Sequence, residues 1–320
     1  MPKNKNKKDK PKIKVSICTP TYNRRPFIPY LIECVNHQTF PLTQLEWIIV
    51  DDGTDPIGDL VQHLPFVKYY YVPEKMPLGK KRNLMHTYCS GDFFVYMDDD
   101  DFYPKDRVSH AVEMLEANPE SLIAGSSEMH MYFKSVSALY QCGPYGDSVA
   151  TAATFAFRRE LLDKTRYADA DGFTEEPHFL QKGNANVLQL DPLKTILVVS
   201  HPHNSLNKEI LLENPGQFLL TPSRFHVADF IKSPILTDFY IHTADLLLSR
   251  YDPGTRQNKP QLNLARLERQ EQTIQSKTAA NLAQQLTSVV QSVPYKQMKE
   301  ALEAKISVLE KQILSLQKTK

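Results

Sequence analysis

The stretch Phe93-Phe94-Val95-Tyr96-Met97-Asp98-Asp99-Asp100-Asp101 decides the fold. Its aromatic and β-branched run reads as a buried strand, and the abrupt change to acid marks where that strand meets solvent. Adjacent carboxylates repel, each close pair by about 1 kcal/mol in water and several times more near a protein surface, so the cluster calls for a cation. All-oxygen donors suit a hard divalent ion such as Mg²⁺ or Mn²⁺ better than zinc or copper. The plainer reading is a solvated loop, with Asp101 or Asp106 capping a helix that begins near Arg107. That accounts for one or two of the aspartates and leaves the others unexplained.

Upstream the same pattern repeats. Residues 13–19 form a β-branched run stopped by Pro20, and Pro20-Thr21-Tyr22-Asn23 has the composition of a turn. Phe27, Leu31, Cys34 and Val35 recur at helical intervals up to Gln38. Trp47-Ile48-Ile49-Val50 is a second apolar strand that ends in acid, at Asp51-Asp52-Gly53-Thr54. A short helix over 59–64, a strand over 67–72 and a helix over 80–89 complete the run to Gly91. Strand and helix in alternation predict right-handed crossovers and a largely parallel sheet covered on both faces. Ligands of such sheets lie outside the carboxyl ends of the strands, where Pro20–Asn23, Asp51-Asp52 and Asp98–Asp101 all fall. Neither G-x-G-x-x-G nor G-x-x-x-x-G-K-[ST] follows the first strand, so phosphate must be held otherwise. A divalent ion with Lys80, Lys81 or Arg82 nearby is the substitute, although those three also suit a solvated helix start.

VSICTPTYN (15–23), IIVDDGT (48–54) and KRNLMHTYCSGDFFVYMDDDD (81–101) resemble, in order and spacing, the nucleotide-binding half of glycosyltransferase family 2 enzymes. The likeness is close over 13–110 and looser to about 210. It implies an α/β, Rossmann-like GT-A fold, a nucleotide-diphosphate sugar donor carrying uracil or guanine, and a hydroxyl acceptor. By that resemblance Pro20, Thr21 and Tyr22 line the nucleotide pocket, Asp52 accepts from the base, and Lys80 and Arg82 serve the donor. Asp98 and Asp100 become the D-x-D pair, with Asp98 or Asp99 near the ribose and Asp100 on the metal. This chain departs from the family by filling all four places with Asp.

Downstream the sequence predicts a helix over 108–115, a strand over 121–125, antiparallel strands within 129–140, a strand over 152–157 and a helix over 158–164. Glu175-Glu176 precede an apolar helix start, where acids favour the positive end of the helix dipole. The resemblance adds that such a pair contains the catalytic base, here Glu176 with Glu175 as second choice, acting with inversion. It likewise implies that a histidine after the strand over 196–200 joins the metal, His203 before His201. Imidazole tilts the choice of ion toward Mn²⁺.

The bounds are permissive. A chain of 320 residues with net charge +1 can bury a full core and shows no global bias toward nucleic acid or membrane. Seven lysines crowd residues 1–14, so 1–12 is expected to be a disordered tail. Four scattered cysteines suggest reduced, structural thiols. No secretory signal and no run long enough to span a bilayer is evident, so a cytoplasmic or host-cell cytosolic location is expected. The expected organisation is a catalytic domain over 13–250 (nucleotide half 13–110, acceptor half 111–210, packing helices 211–250), then a helical extension over 251–320. Within it Leu302, Ile306, Leu309, Ile313 and Leu316 trace a coiled-coil seam, so 299–317 could join two copies. Rival readings are a sugar-phosphate nucleotidyltransferase and a non-catalytic scaffold.

Overall fold

The computed structural model describes residues 13–169, 175–180, 186–205, 207–252, 254 and 303–313. The Lys-rich tail over 1–12, the stretch Ala170–Thr174 before the acidic pair, and most of the extension, including Leu302 and Leu316, lie outside the described residues.

The strands are β1 (Val15–Thr21), β2 (Leu45–Asp51), β3 (Val67–Tyr71), β4 (Phe93–Tyr96), β5 (Ile123–Gly125), β6 (Met129–Phe133), β7 (Ala138–Cys142), β8 (Ala156–Arg158), β9 (Val187–Gln189), β10 (Leu197–Val199) and β11 (Leu220–Pro222). Helices are α1 (Ile28–Asn36), α2 (Gly58–Val61), α3 (Leu78–Tyr88), α4 (Arg107–Ala117), α5 (Glu175–Phe179), α6 (Ile210–Glu213), α7 (Val227–Phe230), α8 (Pro234–Thr237) and α9 (Ala244–Leu248). Seven strands form the main sheet in the order β3-β2-β1-β4-β8-β5-β9, and β8 alone among them runs antiparallel to its neighbours. A second sheet, β10-β6-β7-β11, is tied to the segment after β4 by an antiparallel bridge between Leu197 and Phe102.

β1, β2 and β4 are buried along their whole length, as the unbroken apolar runs require of strands covered on both faces. One core contains Val15, Ile17, Trp47, Ile49, Val95 and α1; the other contains Cys18, Ile48, Phe94, Tyr96 and Phe157. Alternate residues of one strand feed opposite cores, which is the two-residue period of a pleated strand. Cys18 and Cys89 lie 3.5 Å apart as buried free thiols.

Three expectations change. Ala152–Thr154 is a 3-10 turn and the strand begins at Ala156, because the Thr154 hydroxyl donates to Thr151 O (2.7 Å) and accepts from Ser126 N–H (2.9 Å). Arg159–Asp163 is a 3-10 turn instead of an α-helix. The packing helices expected within 211–250 are short and divided, with Ser233 capping a fresh start at Pro234. β9 and β11, three residues each, escape the sequence pattern.

Glu46 on β2 ties the amino end of the sheet together. Its carboxylate accepts from Ser16 (2.6 Å), Lys68 (2.7 Å), the Ser90 hydroxyl (2.7 Å) and Gly91 N–H (3.1 Å). A Cβ on Gly91 would stand 2.6 Å from Ser16 N, so only glycine fits that turn. Burial raises the Glu46 carboxyl, but Lys68, Ser16 and Ser90 outweigh it and hold the group well below the usual range. A depressed carboxyl contributes stability above its unfolded pKa of roughly 4.3 and loses it as pH falls toward the folded value. Glu46→Gln is therefore expected to cost about 1.5–3 kcal/mol at pH 7. In urea melts the gap from wild type should shrink below about pH 4; a gap constant with pH would refute the ionic contribution.

Candidate active site

The site is built where β1, β2 and β4 end. After β1 the chain turns through Asn23, whose φ of 50° is the left-handed conformation that Asn tolerates. The turn is pinned from β2: Asn23 Oδ1 accepts Thr54 N–H (2.8 Å), and its Nδ2 donates to Thr54 Oγ1 (3.0 Å). Asp51 is consumed locally, accepting Gly53 N–H (2.8 Å), Ile57 N–H (3.0 Å) and the Tyr69 hydroxyl (2.8 Å). It is a turn-forming residue.

Asp52 is enclosed, with its side chain 0 % exposed. It contacts Lys81, accepts from Lys75 (3.4 Å) and takes Met76 N–H (2.8 Å). Lys75 also lies 4.3 Å above the Tyr22 ring. Asp52 is the residue expected to accept from the base, and in this structure the loop before α3 covers its carboxylate. Burial, then Lys75, push Lys81 down to about 8 despite Asp52. Lys81, which also donates to Thr21 O (2.9 Å), is the buried lysine of α3, whereas Lys80 is exposed and away from these carboxylates. A helix turns about 100° per residue, which carries Lys80 to the solvent side while Lys81 faces the sheet.

The four aspartates fan apart after β4. Asp98 Oδ1 is buried, accepts no hydrogen bond, and lies 3.8 Å from Arg82 Nη2. Asp99 lies 3.6 Å from Arg24 Nε. Asp100 Oδ2 meets Arg24 Nε (3.4 Å), His201 Nε2 (3.1 Å) and Asn204 Nδ2 (3.4 Å). Asp101 turns inward, accepting Val199 N–H (3.1 Å) from β10 with Lys208 Nζ at 3.8 Å, so it is structural. Burial raises the carboxyls of Asp98, Asp99 and Asp101. Asp100 goes the other way: burial would raise it, but His201, Arg24 and Lys208 together hold it low.

Of the two histidines expected near the metal, His201 is the imidazole that lies against Asp100, its Nε2 3.1 Å from Oδ2. The chain tightens here: His201 N–H donates to Asn204 Oδ1 (2.8 Å), and His203 N–H donates to His201 Nδ1 (3.2 Å). His203 presents its carbonyl to Arg24 (2.7 Å), and its ring lies 6.4 Å from that of Tyr251. Burial pushes His201 down to about 4, so the imidazole is neutral at neutral pH, as a metal ligand must be.

Arg82 lies over the rings of both Tyr96 (4.9 Å) and Tyr167 (5.4 Å). Tyr167 in turn stacks on Phe179 of α5, 4.3 Å apart and within 7° of parallel. α5 carries Glu176, whose Oε1 lies 3.5 Å from Ala152 N–H and whose charge is felt at Asp98. Glu176 thus sits on the helix whose Phe179 packs on Tyr167; of Glu175 the structure describes the backbone position alone. Pro20 and Thr21 are buried in β1, and Tyr22 is partly exposed at the rim. Arg24, Lys208 and Tyr167 were not foreseen. Arg24 follows the Pro20–Asn23 turn directly and was the one legible signal.

A model of the family described as "Glycosyl transferase family 2" matches residues 16–166. The poly(ribitol-phosphate) beta-N-acetylglucosaminyltransferase TarS of Staphylococcus aureus is 27% identical over 122 residues, 35% of this chain and 20% of TarS. The putative teichuronic acid biosynthesis glycosyltransferase TuaG of Bacillus subtilis is 30% identical over 106 residues, 32% of this chain and 41% of TuaG. The chain thus spans a fifth of one relative and two fifths of the other. A crystal structure of TarS 1–349 with UDP-GlcNAc covers 58% of each chain at 21% identity and TM-score 0.48. The mannosyltransferase PcManGT of Pyrobaculum calidifontis, solved with GDP-Man and Mn²⁺, covers 74% of this chain and 70% of that one at 17% identity and TM-score 0.49.

The buried pair at the floor of the site sets a stability test. Lys81→Met would strand the Asp52 charge and is expected to cost about 3–5 kcal/mol in chemical denaturation. Lys81→Met with Asp52→Leu should recover most of that loss; no recovery would show the pair is not coupled. The segment 16–166, which supplies the strand ends that gather these carboxylates, is the part of the chain that matches glycosyl transferase family 2.

Proposed function

We propose that the chain transfers a sugar from a nucleoside-diphosphate donor, a UDP- or GDP-sugar, to a hydroxyl acceptor, with inversion and with Mn²⁺ or Mg²⁺. The observation that supports this is the run of contacts from Asp98 through Arg82 and Tyr167 to Phe179, which links the acid cluster at the end of β4 to the helix that carries Glu176. The residues suit a cation. Asp98 has a buried oxygen that accepts no hydrogen bond, and Asp100 stands beside the neutral imidazole of His201. Two carboxylates and one imidazole are a donor set for Mn²⁺. Among the described residues no three His, Cys, Asp or Glu side chains already converge to enclose an ion, so the set would have to close on it. Asp98, Asp100 and His201 would hold the cation, with His203 two residues beyond His201. Bound there, a divalent ion supplies charge neutralisation for the departing diphosphate.

The chain's own groups do the rest. Arg82, held over the rings of Tyr96 and Tyr167, presents a fixed positive charge beside Asp98. Glu176 takes the proton of the acceptor hydroxyl as it attacks, and attack from the face opposite the leaving diphosphate inverts the anomeric centre. Tyr22, Pro20 and Thr21 flank the base, with Asp52 beneath the loop that bears Lys75. Among the described residues no helix is long and apolar enough to cross a membrane.

Residues 303–313 form a helix on which Ile306 and Ile313 are 48% and 54% exposed. With Leu309 they keep the alternating three- and four-residue spacing of a coiled-coil seam, and we read the helix as a contact between two copies of the chain. Light scattering should find a dimer that Ile306→Glu with Ile313→Glu dissolves; a mass unchanged by the pair would rule the contact out.

Glu176→Gln is expected to lower kcat for transfer by about 10²- to 10⁴-fold while donor affinity, measured by calorimetry, stays within threefold. The released product should be nucleoside diphosphate. Release of pyrophosphate would mean nucleotidyl transfer, and undiminished transfer by the variant would remove Glu176 as the base.

A further inference from the structure

We infer that Arg24 is a built-in counter-cation of the acid cluster, which keeps Asp99 and Asp100 assembled before a divalent ion arrives and competes with that ion for them. This rests on the metal reading proposed above. Arg24 is buried, and so are the two carboxylates it faces: its side chain is 8% exposed, against 10% for Asp99 and 14% for Asp100. Its Nε lies 3.6 Å from one and 3.4 Å from the other. The remaining guanidinium nitrogens are spent on backbone: Nη1 on Tyr22 O (3.4 Å) and Asn23 O (3.3 Å), Nη2 on His203 O (2.7 Å). The fork therefore spans the loop after β1, the end of β4 and the turn that carries His201.

This placement is engineered by the backbone. The left-handed Asn23, pinned to Thr54, folds the chain so that Arg24 points back under the strand ends, while Arg25 points out to Asp55 (2.9 Å) and Asp59 (2.9 Å). A surface arginine needs no such turn. Its burial beside two acids is costly unless the pairing is needed, because like charges at this spacing repel and unpaired buried carboxylates are expensive. Among the described residues the acids do not yet converge as an ion-binding cage, and Asp100 is shared between Arg24 and His201. A guanidinium cannot lose its proton at accessible pH, so its competition with a cation is constant.

The distinguishing consequence is one of sign. A merely structural arginine, once removed, would leave the ligands misplaced and weaken metal binding. A competing cation, once removed, leaves a more negative site that binds metal more tightly. The test is Mn²⁺ titration by calorimetry and by electron paramagnetic resonance on the full chain, together with melting in EDTA and in saturating Mn²⁺. Arg24→Gln should melt several degrees lower than wild type in EDTA, regain most of the loss in Mn²⁺, and bind Mn²⁺ about tenfold more tightly, equivalent to one decade in the dissociation constant. Arg24→Lys, which keeps the charge, should return affinity toward wild type.

Should Arg24→Gln fail to fold, the same comparison is made between Asp99→Asn and Asp99→Asn with Arg24→Gln, where one acid and its partner are removed together. Tightening in that pair supports the inference. Mn²⁺ binding that is unchanged or weaker on loss of Arg24 overturns it while leaving the metal reading intact. Absence of Mn²⁺ binding to wild type overturns both.

Discussion

Buried charge must meet opposite charge, and the carboxyl edge of this sheet is organised by that requirement. Asp52 meets Lys81, Asp98 meets Arg82, Asp99 and Asp100 meet Arg24, and Asp101 meets Lys208. The cations come from α3, from the loop after β1 and from the segment after β10, so the pairs fasten three separate segments to the strand ends. Ion pairs of this kind add little net stability over apolar replacements, but breaking one is costly. Their effect here is to fix where loops lie. The hydrophobic cores on either side of β1, β2 and β4 supply the driving force, and the charges choose the geometry of the rim.

An aromatic layer carries that geometry from one side of the rim to the other. His86 on α3 bonds the Tyr96 hydroxyl (2.6 Å), and burial pushes the imidazole down to about 3, so it is neutral and leaves Arg82 uncontested. Arg82 lies over the rings of Tyr96 and Tyr167, and Tyr167 stacks on Phe179 three residues past Glu176. Offset and stacked rings at these separations are worth about 0.5–1.5 kcal/mol each beyond their burial. The cation beside Asp98 and the carboxylate of α5 are therefore positioned by one continuous stack. A short helix of five residues has little stability of its own, so α5 owes its place to Phe179 and Leu180, both buried.

The sequence was most informative where physics is local. Apolar runs that end in acid located β1, β2 and β4 and their shared edge, and helical spacing located α1, α3 and α4. It was least informative where the outcome depends on partners far along the chain. β8 is short and antiparallel, and its register against β4 is partly set by buried Arg107, which donates to carbonyls of Tyr96, Thr154 and Phe155. Nothing near residue 107 announces that. Lys80, Lys81 and Arg82 look equivalent in a list of letters, yet the helix turns the first to solvent and the other two inward. His201 and His203 differ by two residues, and a tight turn closed by Asn204 puts the first ring against Asp100. Arg24 and Arg25 are adjacent and alike, and the left-handed Asn23 sends them to opposite fates.

Four aspartates in succession are tolerable because the chain does not leave them in one place. Beyond the last paired residue of β4 the backbone no longer holds a pleat, and each side chain finds a separate environment. Asp101 is drawn inward to the backbone of β10, which removes it from the cluster. Asp99 is raised by burial, with Asp100 beside it adding to the shift, whereas Asp100 takes the strongest set of donors and is held low. Like-charged neighbours at this distance cannot all ionise at no cost, so the environment separates their affinities for the proton. Asp100, at the junction of Arg24, His201 and Asn204, is thus the anion about which the other three are arranged. The departure from a simple alternation of acid and spacer follows: the extra aspartates have structural posts of their own, one paired to the loop after β1 and one bonded to β10.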